Sequence, residues 1–172
     1  LLLAAQQVSL KKGMLINHSV SIANSTYLLD ADTSLSVPLI VIEGKNIVVD
    51  FNQAILQGAA AINRPNLFHG LAILIKKGSS NIVLKNANIH GYKIAVMAEG
   101  VEQLSIENCN FSYNYRQQLH SNWQREDISD WMSFHHNENK EWLRYGAGIY
   151  LDHCNNASIQ NNTITNGQCG LM

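Results

Sequence analysis

The sequence predicts an all-β solenoid built from coils of roughly 22 residues, and three observations predict it. The unit Asn81-Ile82-Val83-Leu84-Lys85-Asn86-Ala87-Asn88-Ile89 returns 22 residues later as Gln103-Leu104-Ser105-Ile106-Glu107-Asn108-Cys109-Asn110-Phe111. It returns again after a further 53 as Asn156-Ala157-Ser158-Ile159-Gln160-Asn161-Asn162-Thr163-Ile164. A second apolar ladder follows shifts of 22, 53 and 75: Ile73-Leu74-Ile75, Ala95-Val96-Met97, Gly148-Ile149-Tyr150 and Gly170-Leu171-Met172. Finally, 53 exceeds 22 by 31, so one repeat carries an insertion of that length, and function is sought there.

Each unit alternates apolar and polar residues and ends on Asn, the pattern of a short strand entering a tight turn. One unit cannot bury its apolar face alone, whereas stacked units form a continuous core. Taken in order, Leu1-Leu2-Leu3-Ala4-Ala5-Gln6-Gln7 fits either the last part of a secretion signal or a cap on the solenoid. Val20-Ser21-Ile22 and Thr26-Tyr27-Leu28-Leu29 are weaker strand candidates. Asn46-Ile47-Val48-Val49-Asp50-Phe51 precedes the Asn81 unit by 35, which adds thirteen residues to that coil, expected within Gly58 to Gly70. Roughly five to six coils at about 4.8 Å give a stack on the order of 25 Å long. The whole chain, 1–172, is one domain, and its end at Gly170-Leu171-Met172, where a coil begins, reads as a cut from a longer solenoid.

The asparagine column Asn86, Asn108, Asn161 belongs to the scaffold. Asn tolerates the left-handed backbone of a tight turn, and stacked amides bond from one coil to the next.

Charged residues make up 15% of the chain and the net charge is −1, so a basic nucleic-acid face is not expected. The sequence has no apolar span of 18 residues, hence no membrane-crossing helix is expected. Cys109, Cys154 and Cys169 lack metal-type or redox-type spacing, and Cys109 and Cys169 fall on core positions of the repeat.

Residues 115–147 interrupt the repeat and concentrate chemistry: Trp123, Trp131 and Trp142, His120, His135 and His136, Arg116, Arg125 and Arg144, and Glu126, Asp127, Asp130, Glu138 and Glu141. The segment is expected to be partly helical. Ser121 and Asp127 are candidate N-caps, and Asp127, Asp130, Trp131 and Phe134 share one helical face. Aromatic faces stack on sugar rings while charged groups fix hydroxyls or carboxylates, so the cluster suits carbohydrate. Asp127, Asp130, His135 and His136 are candidate acid/base groups, and Arg116 and Arg144 are candidate cations for an anionic sugar. Trp123, Trp131, Trp142, His120 and Glu126 are candidate substrate contacts. No cofactor is expected; a divalent metal on His120, His135 and His136 is a weak inference, because adjacent histidines point to different faces. The alternative is that the tryptophans pack the insertion onto the coil and the charges are solvated. Outside the insertion, Asp152 and His153 sit at a coil edge close to where it returns.

The Asn81 and Gln103 units resemble repeats of the right-handed parallel β-helix proteins, the pectin-lyase-like superfamily, over about Ile40 to Met172. The stretches from Tyr113 to Gln117, Asp130 to Ser133 and Trp142 to Gly146 resemble those of bacterial β-helix proteins. The resemblance implies an all-β, right-handed, single-stranded parallel β-helix with three parallel sheets. It also implies a secreted or periplasmic protein that cleaves, modifies or binds polysaccharide. The paired-aspartate and Gly-His-Gly pattern of polygalacturonases and the calcium-binding motifs of pectate lyases are both missing. The expected function is therefore a glycoside hydrolase or polysaccharide lyase using the insertion's own groups. In hydrolysis two carboxylates among Glu126, Asp127 and Asp130 act as acid and base; in elimination Arg116 or Arg144 neutralises a uronate while His135 or His136 takes the proton. A non-catalytic carbohydrate-binding module and a structural solenoid remain the alternatives.

Overall fold

The computed structural model describes residues 7–58, 63–130 and 138–172. In chain order its strands are β1 (Gln7–Val8), β2 (Met14–Ile16), β3 (Val20–Ile22), β4 (Thr26–Leu28), β5 (Ile40–Ile42), β6 (Lys45–Asp50), β7 (Ile55–Gln57), β8 (His69–Ile75), β9 (Ser80–Lys85), β10 (Asn88–His90), β11 (Tyr92–Glu99), β12 (Glu102–Glu107), β13 (Ala147–Asp152) and β14 (Ser158–Gln160). All pairs are parallel and fall into three sheets. Sheet A has the order β1-β3-β6-β9-β12-β14, sheet B β13-β11-β8-β5-β2, and sheet C β10-β7-β4. Single bridges carry sheet C on to Asn110 and Thr163 and sheet B on to Leu171. The chain thus winds B, A, C repeatedly, as a parallel β-helix does.

The core is a set of apolar columns, one residue per coil. Val20, Val49, Leu84, Ile106 and Ile159 stack in sheet A. Ile40, Ile73, Val96 and Ile149 stack in sheet B, and Tyr27, Leu56 and Ile89 in sheet C. Most of these side chains are buried, and each buried Ile or Leu stabilises the stack by about 1.5–3 kcal/mol. Leu71, Ile94, Met97, Ala147 and Tyr150 form a second, smaller cluster, on which Leu35 and Leu143 pack from the connecting loops.

Register corrects the sequence analysis in two places. Ile73 pairs with Val96, not Ala95, so that step is 23 residues, and a slip of one would have turned every side chain over. The thirteen added residues of the Asn46 coil are also distributed. The separation is 35 at Ile47/Ile82, 33 at Ile55/Asn88, 23 at His69/Tyr92 and 22 at Ile82/Leu104. Two therefore enter at the Phe51-Asn52-Gln53 turn, ten between Gly58 and His69, and one in the turn after Ile75.

Asn86, Asn108 and Asn161 all adopt left-handed backbone, with φ of 57°, 55° and 53°. A second left-handed column, Asn46, Asn81, Gln103 and Asn156, marks the other end of the sheet A strands. A single amide-to-amide bond of the expected kind is described, and it lies in this second column, where Asn81 Nδ2 donates to Asn46 Oδ1 at 2.8 Å. Asn86 Nδ2 instead donates to Asp50 Oδ1. Cys109 is buried in the core, and all three cysteines are free thiols.

The insertion is partly helical, as expected. Its described helical turns are 3-10: Ile128–Asp130, and Glu138–Tyr145, which is broken by left-handed backbone at Asn139 and Lys140. Side-chain bonds to nearby backbone hold Asp127 and Asp130 in a compact loop and compete with an α-helix. Ser121 caps no helix and pairs with Asp127 instead. Trp131, Phe134, His135 and His136 lie outside the described residues, as do Leu1 to Gln6.

Candidate functional site

Three long connections leave the coils at the same corner, between sheet C and sheet B: residues 29–39, 58–68 and 116–145. In the coil between the last two, the corner is closed by Gly91 alone. The insertion emerges after Tyr115, whose N–H donates to Tyr92 O at 2.8 Å. It rejoins at Gly146, where φ is +66° and a Cβ would lie 2.6 Å from Lys93 O, so only glycine fits.

The second and third connections are tied together. Arg116 N–H donates to Pro65 O at 3.3 Å and Asn66 Nδ2 to Gln118 Oε1 at 3.4 Å. Gln117 N–H donates to Gln168 Oε1 at 3.1 Å, and Gln168 N–H to Tyr115 O at 2.8 Å. Between these segments opens a cleft of about 540 Å³ lined by Asn66, Arg116, Gln117, Gln118, Leu119 and Gln168, among others. Among the described residues, the exposed Arg116 guanidinium has no ion-pair partner. Beside the cleft, Lys93 Nζ lies 4.9 Å from the centre of the Tyr115 ring, and burial draws its pKa below the ordinary lysine value.

Residues 120–130 form a polar bracket next to the cleft. The Asp130 carboxylate accepts the backbone N–H groups of His120 and Ser121, at 3.0 and 2.6 Å. Gln117 Nε2 donates to Asp130 O at 3.3 Å and joins bracket to cleft. Ser121 Oγ accepts the Asp127 N–H at 2.8 Å, and Asp127 Oδ1 accepts from the N–H and hydroxyl of Ser129. These bonds draw both carboxyls below the ordinary aspartate value, through Ser129 at Asp127 and through Ser121 and His120 at Asp130. Asn122 and Arg125 exchange backbone hydrogen bonds, and Trp123 stands at the tip of that turn, 91% exposed. Trp123 therefore does not pack the insertion onto the coil.

The far half of the insertion reaches a different place. Lys140 Nζ pairs with Glu99 and lies 4.0 Å from Asp152 Oδ2. Glu99 and Asp152 are register partners on β11 and β13, and His153 Nδ1 contacts the Asp152 carboxylate. His153 has φ of +51° in a turn where the preceding coils have Gly78 and Gly100. Arg144 donates to Tyr145 OH and lies over the Tyr145 ring, with Tyr145 buried.

The family model for the right-handed β-helix region matches residues 18–172. The chain belongs to that family. No curated protein and no solved structure matches it.

Of the predicted site residues, this β-helix brings Arg116 into the corner cleft and hangs His120, Trp123, Glu126, Asp127 and Asp130 on the adjoining bracket. Arg144 and half-buried Trp142 belong to the far half. Arg116 and Arg144 are thus divided between two regions. Asp127 and Asp130 are engaged in shaping the loop and are held ionised, which suits neither to donating a proton near neutral pH. Among the described residues no group of three His, Cys, Asp or Glu side chains is placed to hold a metal ion. No described helix is long and apolar enough to cross a membrane. Gln117, Gln118, Gln168, Lys93 and the pairing of Glu99 with Asp152 were missed. The 53-residue shift places Glu99 opposite Asp152 and was the available signal; Gln168 had none, because it joins the cleft only through folding.

Proposed function

We propose that this β-helix protein acts on polysaccharide and that the corner cleft is where a saccharide binds. The observation that carries this is the cleft wall: one arginine and four amide side chains, from three separate chain segments, held in place by hydrogen bonds within the wall. Amides offer donors and acceptors to hydroxyl groups, and a guanidinium takes a carboxylate bidentately. Trp123 adds an exposed aromatic face on a turn fixed by its own hydrogen bonds, which makes stacking on a sugar ring inexpensive in entropy. Calorimetric titration with neutral and acidic oligosaccharides tests the proposal. Binding by the parent protein should be lost in the double variant R116A/Q168A while both proteins melt at the same temperature; an unchanged affinity in that variant refutes the site.

A second reading, cleavage of a saccharide long enough to run from the cleft along sheet B, is favoured by Glu99 and Asp152 at the far end of that sheet. The two carboxylates are register partners on adjacent coils of one sheet, and glycoside cleavage uses a pair of carboxyl groups. One carboxyl protonates the leaving oxygen while the other assists attack at the anomeric carbon. E99Q and D152N should then abolish release of reducing ends without weakening saccharide binding. Release of an unsaturated sugar would instead assign elimination.

A further inference from the structure

The face of sheet A that looks away from the core has the same profile on successive coils. Residues that alternate with the buried Ile47, Val49, Ile82, Leu84, Leu104 and Ile106 point outward and form three columns. One margin is the amide column Asn46, Asn81, Gln103 and Asn156. The middle column is short in every coil: Val48, Val83, Ser105 and Ser158 follow one another in register. Asp50, Lys85, Glu107 and Gln160 make the opposite margin. Short side chains between longer ones leave a trough parallel to the solenoid axis. Between the amide margin and the floor, over β9, β12 and β14, it measures about 370 Å³.

The chemistry of the trough narrows what can occupy it. Its outward positions carry no aromatic residue and no apolar side chain larger than valine, so the anchors of a protein interface are missing. Lys85 lies 3.6 Å from Asp50, and the other nearby charges, Lys45, Glu102 and Glu107, leave a slight negative excess. There is no positive field to hold nucleic acid or another polyanion.

Amides and hydroxyls remain. Asn81 Nδ2 is held by Asn46 Oδ1 at 2.8 Å and Asn156 Nδ2 by Glu102 Oε1 at 2.6 Å, which orients both side chains and leaves their carbonyl oxygens to accept. Ser158 Oγ accepts from Gln160 Nε2 at 2.6 Å and keeps its own proton to donate. Among the described residues the exposed Gln103 amide has no hydrogen-bond partner. Such groups suit the hydroxyls of a sugar. A coil rises by about 4.8 Å, close to the advance of one sugar in an extended β-1,4-linked chain. A chain laid along the trough therefore meets the same margin and floor at each sugar.

We propose that sheet A carries a second polysaccharide surface, on which an uncharged linear glycan lies along the trough with one sugar to a coil. The trough shares no residue with the corner cleft, and the proposal does not rest on the cleft's reading. Each coil offers few hydrogen bonds, all open to water, so a short oligosaccharide gains little. A polymer is held by repetition of weak contacts.

Affinity electrophoresis of the full chain through gels containing soluble glucomannan, a neutral β-1,4-linked polymer, tests the proposal. The background is R116A/Q168A, in which the cleft is disabled. That double variant should still be retarded, equally at low and high salt, because the contacts are uncharged. Adding S105R, which lays a long side chain across the floor from an outward strand position, should abolish the retardation. Adding Q103G removes one amide while leaving the left-handed backbone unstrained, and should raise the apparent dissociation constant about threefold. Absence of retardation in the double variant overturns the proposal, and so does retardation that salt abolishes. Retardation unchanged by Q103G overturns it even where S105R fails to fold. Slower sedimentation on adding S105R would make this face a contact between copies of the chain, and likewise overturns the proposal.

Discussion

Asn114 is bonded to Tyr92 across one coil: its side-chain Oδ1 accepts the Tyr92 N–H at 3.0 Å. The same buried amide donates from Nδ2 to Ile89 O at 3.0 Å and to Phe111 O at 2.8 Å. These bonds satisfy backbone groups that the strand ladders leave unpaired just where the insertion departs, so Asn114 is the last fixed point of the coil. N114A should cost about 3 kcal/mol in urea unfolding, because three buried backbone groups lose their partner. N114D should not rescue it, since a carboxylate cannot donate to two carbonyl oxygens. A loss below about 1 kcal/mol would mean that water replaces the amide.

The left-handed asparagines make a second prediction. Asn108 needs φ of 55° to turn from sheet A into sheet C. Alanine pays for that backbone conformation at about 1 kcal/mol or more, whereas glycine adopts it freely. N108A should lower the unfolding midpoint and N108G should leave it nearly unchanged. If both were equally destabilising, the Asn108 side chain rather than its backbone would be what matters.

The same column explains what was legible in the sequence. Apolar alternation and left-handed residues at fixed places in each coil are local demands repeated at every turn, so they appear as periodicity, and the turn role of Asn86, Asn108 and Asn161 could be read directly. The step from Ile73 to Val96 could not, because one residue absorbed in the turn after Ile75 changes the register without changing the apolar character of either strand. The site was legible only as a segment. Arg116 could be singled out by type, but its neighbours Asn66 and Gln168 come from a different loop and a later coil, brought to it by the stacking of corners. Asp127 and Asp130 stood out as carboxylates, yet the groups that set their behaviour are backbone N–H donors, which composition does not reveal.

Trp123 is exposed and bonded only through the backbone of its turn, so its removal should leave folding intact. W123A is expected to stay within about 0.5 kcal/mol of the parent in stability. Its affinity for an oligosaccharide bound at the cleft should fall about tenfold, the scale of one aromatic stacking contact. Fluorescence of the parent should change on titration and that component should be absent in W123A. Full retention of both affinity and fluorescence change would remove Trp123 from the saccharide site.

Asp130 gives the insertion a defined pH response. Hydrogen bonding from Ser121, and then from the His120 N–H, holds its carboxyl below the ordinary value of 3.8. A group lowered on folding contributes its stabilisation fully above the unfolded value and loses it as pH falls through the folded one. The bracket should therefore be unaffected by pH down to about 4 and should loosen only below 3.8. Because the carboxylate is the acceptor for the His120 and Ser121 N–H groups, those two amides are the reporters: exchange corrected for intrinsic rate should rise in them below that pH. In D130N the carboxamide oxygen still accepts but carries no titrating charge, so the same amides should be less protected at neutral pH and show no such step. A step that persists in D130N would take the response away from Asp130 and give it to another titrating group of the bracket, such as Asp127, whose carboxyl is lowered by Ser129.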